Sequence, residues 1–363
     1  MLDERHVLIC SAAGAADGMP WWVIACAIAV AAVSAIGVAM VLSGRLGDGL
    51  LHLAMRWGPR LRGIERTRRG GWPCLVAARR ASSTDAPPLI VLHGLGVRKE
   101  TMLPLLEGLR GSRDVLAPDL PGFGEHDLEP KLARVLRADR DDGGDHDERA
   151  PLRFADVIAR TPGPEVDAYV AAIEAWIGRA VDGPFDLAGA SMGGALATAV
   201  AARRPAGLRR LVLLGPAGVR APRTNEFMEE VARDVNPLAI ETIADFDRVI
   251  DLNFTTPPRI PTFVKRALAR DLKRRQPVQD LVTDALGPLL LDGIRDRLAS
   301  VVAPTLVLWG GADEILDPSA APIFEEGLPD AVVEIVDGAG HTLHGDRPRE
   351  VMARIERFLD DAE

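Results

Sequence analysis

FDLAGASMGGALATAVAARR, residues 185–204, is the stretch that decides the fold class of this chain. Phe185 to Ala188 has the length of a buried strand, and Ala195 onward is built from helix formers. Between them lies Gly189-Ala190-Ser191-Met192-Gly193, a Gly-x-Ser-x-Gly turn in a strand-turn-helix context. The spacing has a steric cause. A serine held on so sharp a turn is pushed clear of the sheet, and side chains two residues to either side would collide, so Gly189 and Gly193 are demanded. The helix that follows aims its first N–H groups, Met192 foremost, and its positive dipole end at the space beside the hydroxyl.

A serine hydroxyl is a weak nucleophile unless a base removes its proton and a carboxylate orients that base. Both residue types follow Ser191 in chain order. After an apolar run Thr305 to Trp309 the chain turns through Gly310-Gly311-Ala312 to Asp313, the preferred carboxylate, with Glu314 and Asp317 as alternatives close by. After Val332 to Val336 comes the glycine-rich loop Asp337-Gly338-Ala339-Gly340-His341, which makes His341 the expected general base. His344 is expected to support that loop, and His93 to brace Leu92-His93-Gly94-Leu95-Gly96, where Gly94 and Gly96 let the backbone approach a substrate. The N–H of Leu95 would then join that of Met192 as an oxyanion donor.

Outward from this centre, short apolar runs alternate with longer helical patterns, the signature of an α/β fold with a mainly parallel sheet and helices on both faces. Candidate strands are Leu89 to Leu92, Val115 to Ala117, Phe185 to Ala188, Leu211 to Leu214, Thr305 to Trp309 and Val332 to Val336. A hairpin from Ile64 to Ala78 would turn at Gly70-Gly71. Two segments interrupt the alternation. Residues 128–161 contain RADRDDGGDHDER, too charged to build a core, and are expected to be a flexible insertion rather than a metal site built on its aspartates and His146. Residues 216–300 carry scattered Phe227, Phe246, Phe254 and Phe263 and are expected to form a helical cap between core parts 64–215 and 301–363.

Ahead of the core, after a tail at residues 1–20, Trp21 to Leu42 is uncharged and would cover ~30 Å as a helix, the thickness of a bilayer's apolar centre. Asp3, Glu4 and Asp17 stand where a cleaved signal would be positive, so a retained transmembrane anchor is the expectation. Seven arginines between Arg45 and Arg69 follow it, which places the C-terminal bulk on the cytoplasmic side. Residues 43–63 mix arginines with Leu50, Leu51, Leu53, Met55, Trp57 and Leu61, as either a helix on an anionic membrane or one packed on the core would. With 43 Lys and Arg against 52 Asp and Glu, the net charge of -9 argues against general nucleic-acid binding. The three cysteines, Cys10, Cys26 and Cys74, are too scattered for a disulfide framework or a zinc site.

From about Pro88 to Phe358 the chain resembles the α/β-hydrolase fold serine esterases and lipases, through LIVLHGLG (89–96), DLPGFG (119–124), GASMGG (189–194), LVLWGGADEILDP (306–318) and VDGAGHTLHGDRP (336–348). The anchor, GPAG at 215–218 and WGxxDxxLD make it similar to the membrane-bound monoacylglycerol lipase group. That resemblance implies Asp313 as the triad acid, no metal or organic cofactor, and a lipophilic ester such as a monoacylglycerol or lysophospholipid as substrate, met at membrane lipid. Thioesterases, C–C bond hydrolases and cofactor-free haloperoxidases of this fold also keep the serine, and a catalytically silent tethered scaffold is the remaining alternative. Dehalogenases and epoxide hydrolases place an aspartate at the elbow, which Ser191 disfavours.

Overall fold

The short apolar runs pair into one eight-stranded sheet in the order β1-β2-β4-β3-β5-β6-β7-β8. Its strands are β1 (Glu65–Arg69), β2 (Trp72–Ala77), β3 (Leu89–Leu92), β4 (Val115–Pro118), β5 (Phe185–Ala190), β6 (Leu208–Leu214), β7 (Thr305–Gly310) and β8 (Ala331–Val336). The first two strands form the hairpin expected around Gly70 and Gly71, and β2 meets β4 antiparallel. Every pairing from β4 through β3, β5, β6 and β7 to β8 is parallel. The computed structural model describes residues 45–80, 86–138, 162–233 and 235–360.

Uniformly apolar strands are what a sheet covered on both faces requires, because successive side chains point to opposite sides. The central strands divide in that way. Ile90, Leu92, Leu211, Leu213, Val307 and Trp309 enter one hydrophobic cluster. Leu89, Val91, Val212, Leu214, Leu306 and Leu308 enter the other. On the first face, the helix Pro164–Ala180 contributes Val166, Tyr169, Val170, Ile173, Trp176 and Ile177, a stripe at helical spacing. On the second, Leu105, Leu106 and Leu109 of Leu103–Leu109 meet Val351, Met352, Ile355 and Leu359 of Pro348–Asp360. The helix Met192–Ala202 is buried from Met192 to Ala201, since it lies directly on the sheet beneath other helices.

Between β6 and β7 lie the helices Glu226–Ala232, Ile243–Asn253 and Thr262–Leu291 and a 3₁₀ turn at Arg295–Ser300. Asn225 and Thr242 cap the first two, Thr242 in a reciprocal capping box with Asp245. The long helix has two halves of different character. Phe263 of the first stands exposed, whereas Leu281, Val282, Ala285, Leu286 and Leu289 of the second belong to the main core. From Leu281 to Leu298 this segment packs as part of the main core.

The structure also differs at the start of the charged insertion. Pro130–Ala138 is a helix whose Leu132 and Leu136 are buried in the main core, so order extends well past residue 128. The charged residues beyond Ala138, including His146, lie outside the described residues, as does the apolar run Trp21 to Leu42. Among the described residues, no helix is long and apolar enough to cross a membrane.

Arg45–Leu61 is a helix, and its described side chains sort by face. Asp48 pairs with Arg270 of the long helix at 2.8 Å and Met55 contacts Arg98, while Leu53, Trp57 and Leu61, four residues apart, are exposed. Trp57 also lies under the Arg60 guanidinium. A surface helix ordinarily turns polar residues outward, and this one presents large apolar groups.

Leu213 lies fully buried at the centre of the sheet and tests the two-faced core. Leu213→Ala is expected to lower unfolding free energy by roughly 2–5 kcal/mol in urea denaturation, the usual cost of a buried large-to-small change. A loss below about 1 kcal/mol would contradict the packing.

Candidate active site

Five loops meet at the carboxyl edge of the parallel strands, where open α/β sheets bind ligands. The central one is the elbow. Ser191 adopts φ 55 and ψ -120, a conformation other than glycine rarely takes, and Met192–Ala202 begins at the next residue. A Cβ on Gly189 would lie 2.1 Å from the Gly193 carbonyl oxygen, and one on Gly193 would lie 2.3 Å from that of Leu92. Neither position has room for a side chain. Ser191 is partly buried.

The loop after β3 approaches from one side. A Cβ on Gly94 would lie 3.3 Å from the Cβ of Ser191 and 3.8 Å from its Oγ, so the backbone at Gly94 passes beside the hydroxyl. Gly96 itself takes φ 70, which glycine tolerates without strain. His93 braces this loop, as expected. Its Nε2 accepts from the Leu120 N–H at 3.0 Å, which leaves Nδ1 to donate to the Gly94 carbonyl at 2.8 Å. Burial pushes His93 below the usual imidazole range and keeps that neutral tautomer.

On the other side, the turn after β7 is bound to the loop after β8. Gly311 donates to Val336 and Ala312 to Ala339, at 3.0 and 2.9 Å. This brings Asp313 Oδ2 to 2.8 Å from His341 Nδ1, with the carboxylate buried and the ring nearly so. The other oxygen, Oδ1, accepts from the Ile315 and Leu316 N–H groups, each at 2.9 Å, so the carboxylate is fixed before it meets the imidazole. Neither alternative carboxylate occupies that position. Glu314 is exposed, and Asp317 caps Ser319 while facing Arg223.

Gly215, at the end of β6, joins the halves. A Cβ there would meet Asp313 Oδ2 at 3.4 Å and His341 Nδ1 at 3.7 Å. On either side of it, Leu214 accepts from the Ser191 N–H and Ala217 donates to the Ser191 carbonyl. Ser191 and the Asp313–His341 pair thus flank one glycine. His344, buried on the short helix Leu343–Asp346, is held down at about 4 by burial and by neighbouring His341, which keeps it neutral beside the loop. Among the described residues, no group of His, Cys, Asp and Glu is arranged to hold a metal ion.

One charged group was not read from sequence. Lys99 is fully buried and ion-pairs with buried Asp119, while its Nζ also reaches Glu125 at 3.1 Å. Arg66 closes the network on Glu100 and Glu125, each at 2.5 Å. The loop carrying Gly94 and Gly96 is therefore anchored three residues downstream by charges. The only linear signal was the position of Lys99 and Asp119 beside two motifs, for nothing in their spacing announces that they meet.

The sheet order, the elbow and the convergence of loops on Ser191 define an α/β-hydrolase. The chain belongs to the alpha/beta hydrolase family, whose sequence profile matches residues 89–355. It is 28% identical over 277 residues to Lipase 3 of Moraxella sp. (strain TA144), covering 75% of this chain and 77% of that protein. With Monoacylglycerol lipase ABHD6 of Mus musculus it shares 23% identity over 281 residues, 75% of each chain. Among solved structures, a membrane phospholipase A described as a bacterial virulence factor superposes with a TM-score of 0.71 at 24% identity, covering 92% of this chain and 97% of that one.

The charge network carries a pH dependence. Burial alone would raise Glu125, but its hydrogen bond to Arg66 and the charge of Lys99 outweigh that and hold it at about 2, below the ordinary 4.5. Because the folded value is the lower, its stabilisation is complete above about 4.5 and is lost as pH falls toward 2. Urea unfolding between pH 5 and 3 is expected to show a shallower loss of stability for Glu125→Gln than for the parent. Equal slopes would remove Glu125 from the network. The effect will be modest, since this side chain is 43% exposed and solvent screens it.

Proposed function

We propose that the chain hydrolyses carboxylic esters through an acyl-enzyme on Ser191. The observation that carries this is the buried 2.8 Å contact between Asp313 and His341, set across Gly215 from the strained serine. With Nδ1 donating to Asp313, Nε2 is the nitrogen left to take the serine proton. The hydroxyl oxygen then attacks the ester carbonyl, and the N–H groups of Leu95 and Met192 receive the oxyanion. Met192 is the first residue of its helix, where an N–H has no intrahelical acceptor. Collapse of the tetrahedral intermediate passes the proton from His341 to the leaving alcohol. Water, deprotonated by the same histidine, attacks the acyl-enzyme and releases the carboxylic acid. No cofactor takes part in this cycle.

The similarity to Lipase 3 and to a monoacylglycerol lipase supports a lipophilic ester, a monoacylglycerol or lysophospholipid. We further propose that Trp21 to Leu42 anchors the chain in a bilayer with the catalytic domain on the cytoplasmic side. The helix Arg45–Leu61 would then lie where that anchor leaves the membrane. Its exposed Leu53, Trp57 and Leu61 suit the apolar boundary of the headgroups, and Arg60 and Arg62 suit anionic lipid. Its opposite face, through Asp48 and Met55, is seated on the hydrolase, so the two readings of residues 43–63 are compatible.

Ser191→Ala is expected to abolish hydrolysis of p-nitrophenyl butyrate and labelling by a fluorophosphonate, and Asp313→Asn to reduce kcat by about 10⁴-fold. Full turnover by Ser191→Ala would end the proposal. A panel of esters, thioesters and vinylogous diketones assigns the bond cleaved, and activity confined to the last two would replace the ester reading. A parent chain that neither turns over any of them nor is labelled would be a silent scaffold.

For the membrane face, Trp57→Ser with Leu61→Ser is expected to lower turnover of monoacylglycerol in vesicles several-fold, while soluble p-nitrophenyl butyrate is cleaved as before. Unchanged vesicle turnover would take this helix off the membrane.

A further inference from the structure

One carboxylate near the site bonds to neither Asp313 nor His341. Asp346 ends the short helix Leu343–Asp346 and accepts three backbone N–H groups. Its Oδ2 receives Gly340 at 2.8 Å and Thr255 at 3.0 Å, and its Oδ1 receives Thr256 at 3.2 Å. Gly340 is the residue immediately before His341, whereas Thr255 and Thr256 follow the cap helix Ile243–Asn253. A single side chain therefore holds the catalytic loop and the cap to each other.

Other bonds join the same two segments. Thr342 donates its N–H to the Asn253 carbonyl at 2.8 Å, and Thr255 Oγ1 donates to the Gly338 carbonyl at 2.9 Å. The approach is close. A Cβ on Gly340 would lie 3.2 Å from the Asn253 oxygen and 3.3 Å from both Asp346 Oδ2 and the Thr255 nitrogen. On the next layer, a Cβ on Gly345 would lie 2.7 Å from the Phe254 ring. Residues on both sides of His341 are thus bonded to the cap, and the histidine's own ring is bonded to Asp313.

We infer that Asp346 is a positioning residue for the general base, which sets the reach of His341 toward Ser191 by fixing the Gly340 backbone to the cap segment Asn253–Thr256. The inference rests on the proposed roles of Ser191 and His341. Its physical basis is that a carboxylate has two acceptor oxygens and can satisfy three N–H groups at once. An asparagine has one acceptor oxygen, and its NH₂ would confront an N–H with another donor. A displacement of the base by about 1 Å is enough to cost on the order of 100-fold in rate. Because Asp346 reaches the base through the backbone, its loss changes how often the base is aligned and leaves substrate binding largely intact. The cap, by the same bonds, helps set the base's position.

The experiment is steady-state hydrolysis of p-nitrophenyl butyrate by full-length parent, Asp346→Asn, Asp346→Glu and Thr255→Val. Asp346→Asn is expected to lower kcat about 10- to 100-fold with KM within about twofold, and Asp346→Glu to recover most of that loss by restoring the carboxylate. Thr255→Val, which removes only the hydroxyl bond to Gly338, is expected to lower kcat two- to fivefold. Parent kcat in a folded Asp346→Asn, or a raised KM at parent kcat, would overturn the inference. A loss that Asp346→Glu does not relieve, in a protein of unchanged melting temperature, would do the same. Should Asp346→Asn fail to fold, Thr255→Val carries the test, and parent kcat in that variant overturns it. Ser191→Ala measured alongside separates the two readings. If that variant stays active the nucleophile is misassigned, whereas an inactive Ser191→Ala beside a fully active Asp346→Asn removes only the role of Asp346.

Discussion

Everything at the site depends on how closely the helix Met192–Ala202 can approach the end of β3. Gly193 lies so near the Leu92 and His93 carbonyls that a Cβ would overlap them, and Gly189 is pressed in the same way against Gly193. That contact forces Ser191 into its left-handed backbone conformation, since strand and helix leave no other path for the chain between them. The strain persists because the surroundings over-determine it. The Ser191 N–H is held by Leu214, its carbonyl receives Ala217 and Gly194, and the helix behind it is buried along its length.

Around this rigid centre the polar groups are fastened one step ahead of where they are needed. The carboxylate of Asp313 is bonded by two backbone N–H groups before it meets His341, and His93 is locked between Leu120 and Gly94 before the loop reaches Leu95. Lys99 and Asp119 extend the pattern with a fully buried ion pair. Burying two charges costs several kcal/mol of desolvation per ion, so such a pair is a poor source of net stability. What it does is restrict geometry. Few arrangements satisfy Lys99, Asp119, Glu125, Arg66 and Glu100 together, and the loop bearing Gly94 and Gly96 is held to one of them.

The cap and the N-terminal helix lie outside this centre yet are tied to it. Arg98, two residues past Gly96, reaches Asp271 of the long helix at 2.5 Å and Met55 of Arg45–Leu61 at 3.1 Å. Asp346 makes the corresponding tie at the other loop. The helices between β6 and β7 are therefore linked by direct bonds to both loops that flank the serine, and Arg45–Leu61 to one of them.

Most of this architecture was legible in the sequence, because it is written in local periodicities. Apolar runs of strand length, Gly-x-Ser-x-Gly between a strand and a helix, and the order of Ser191, Asp313 and His341 are properties of neighbouring residues or of simple succession. The helix Pro130–Ala138 was masked because the charged run beyond it dominates the composition of that segment. Charged side chains were harder to read for a general reason. In a linear sequence Lys99, Asp119 and Asp346 look like ordinary solvated residues, and their partners lie 20 positions away for Lys99 and Asp119 and 91 for Asp346 and Thr255. That Ser191 sits on an elbow follows from its near neighbours alone, since their sterics allow little else. Which carboxylate faces His341 and what holds that loop in place are visible in the fold alone, because a hydrogen bond requires a few ångströms of proximity that the folded sheet supplies.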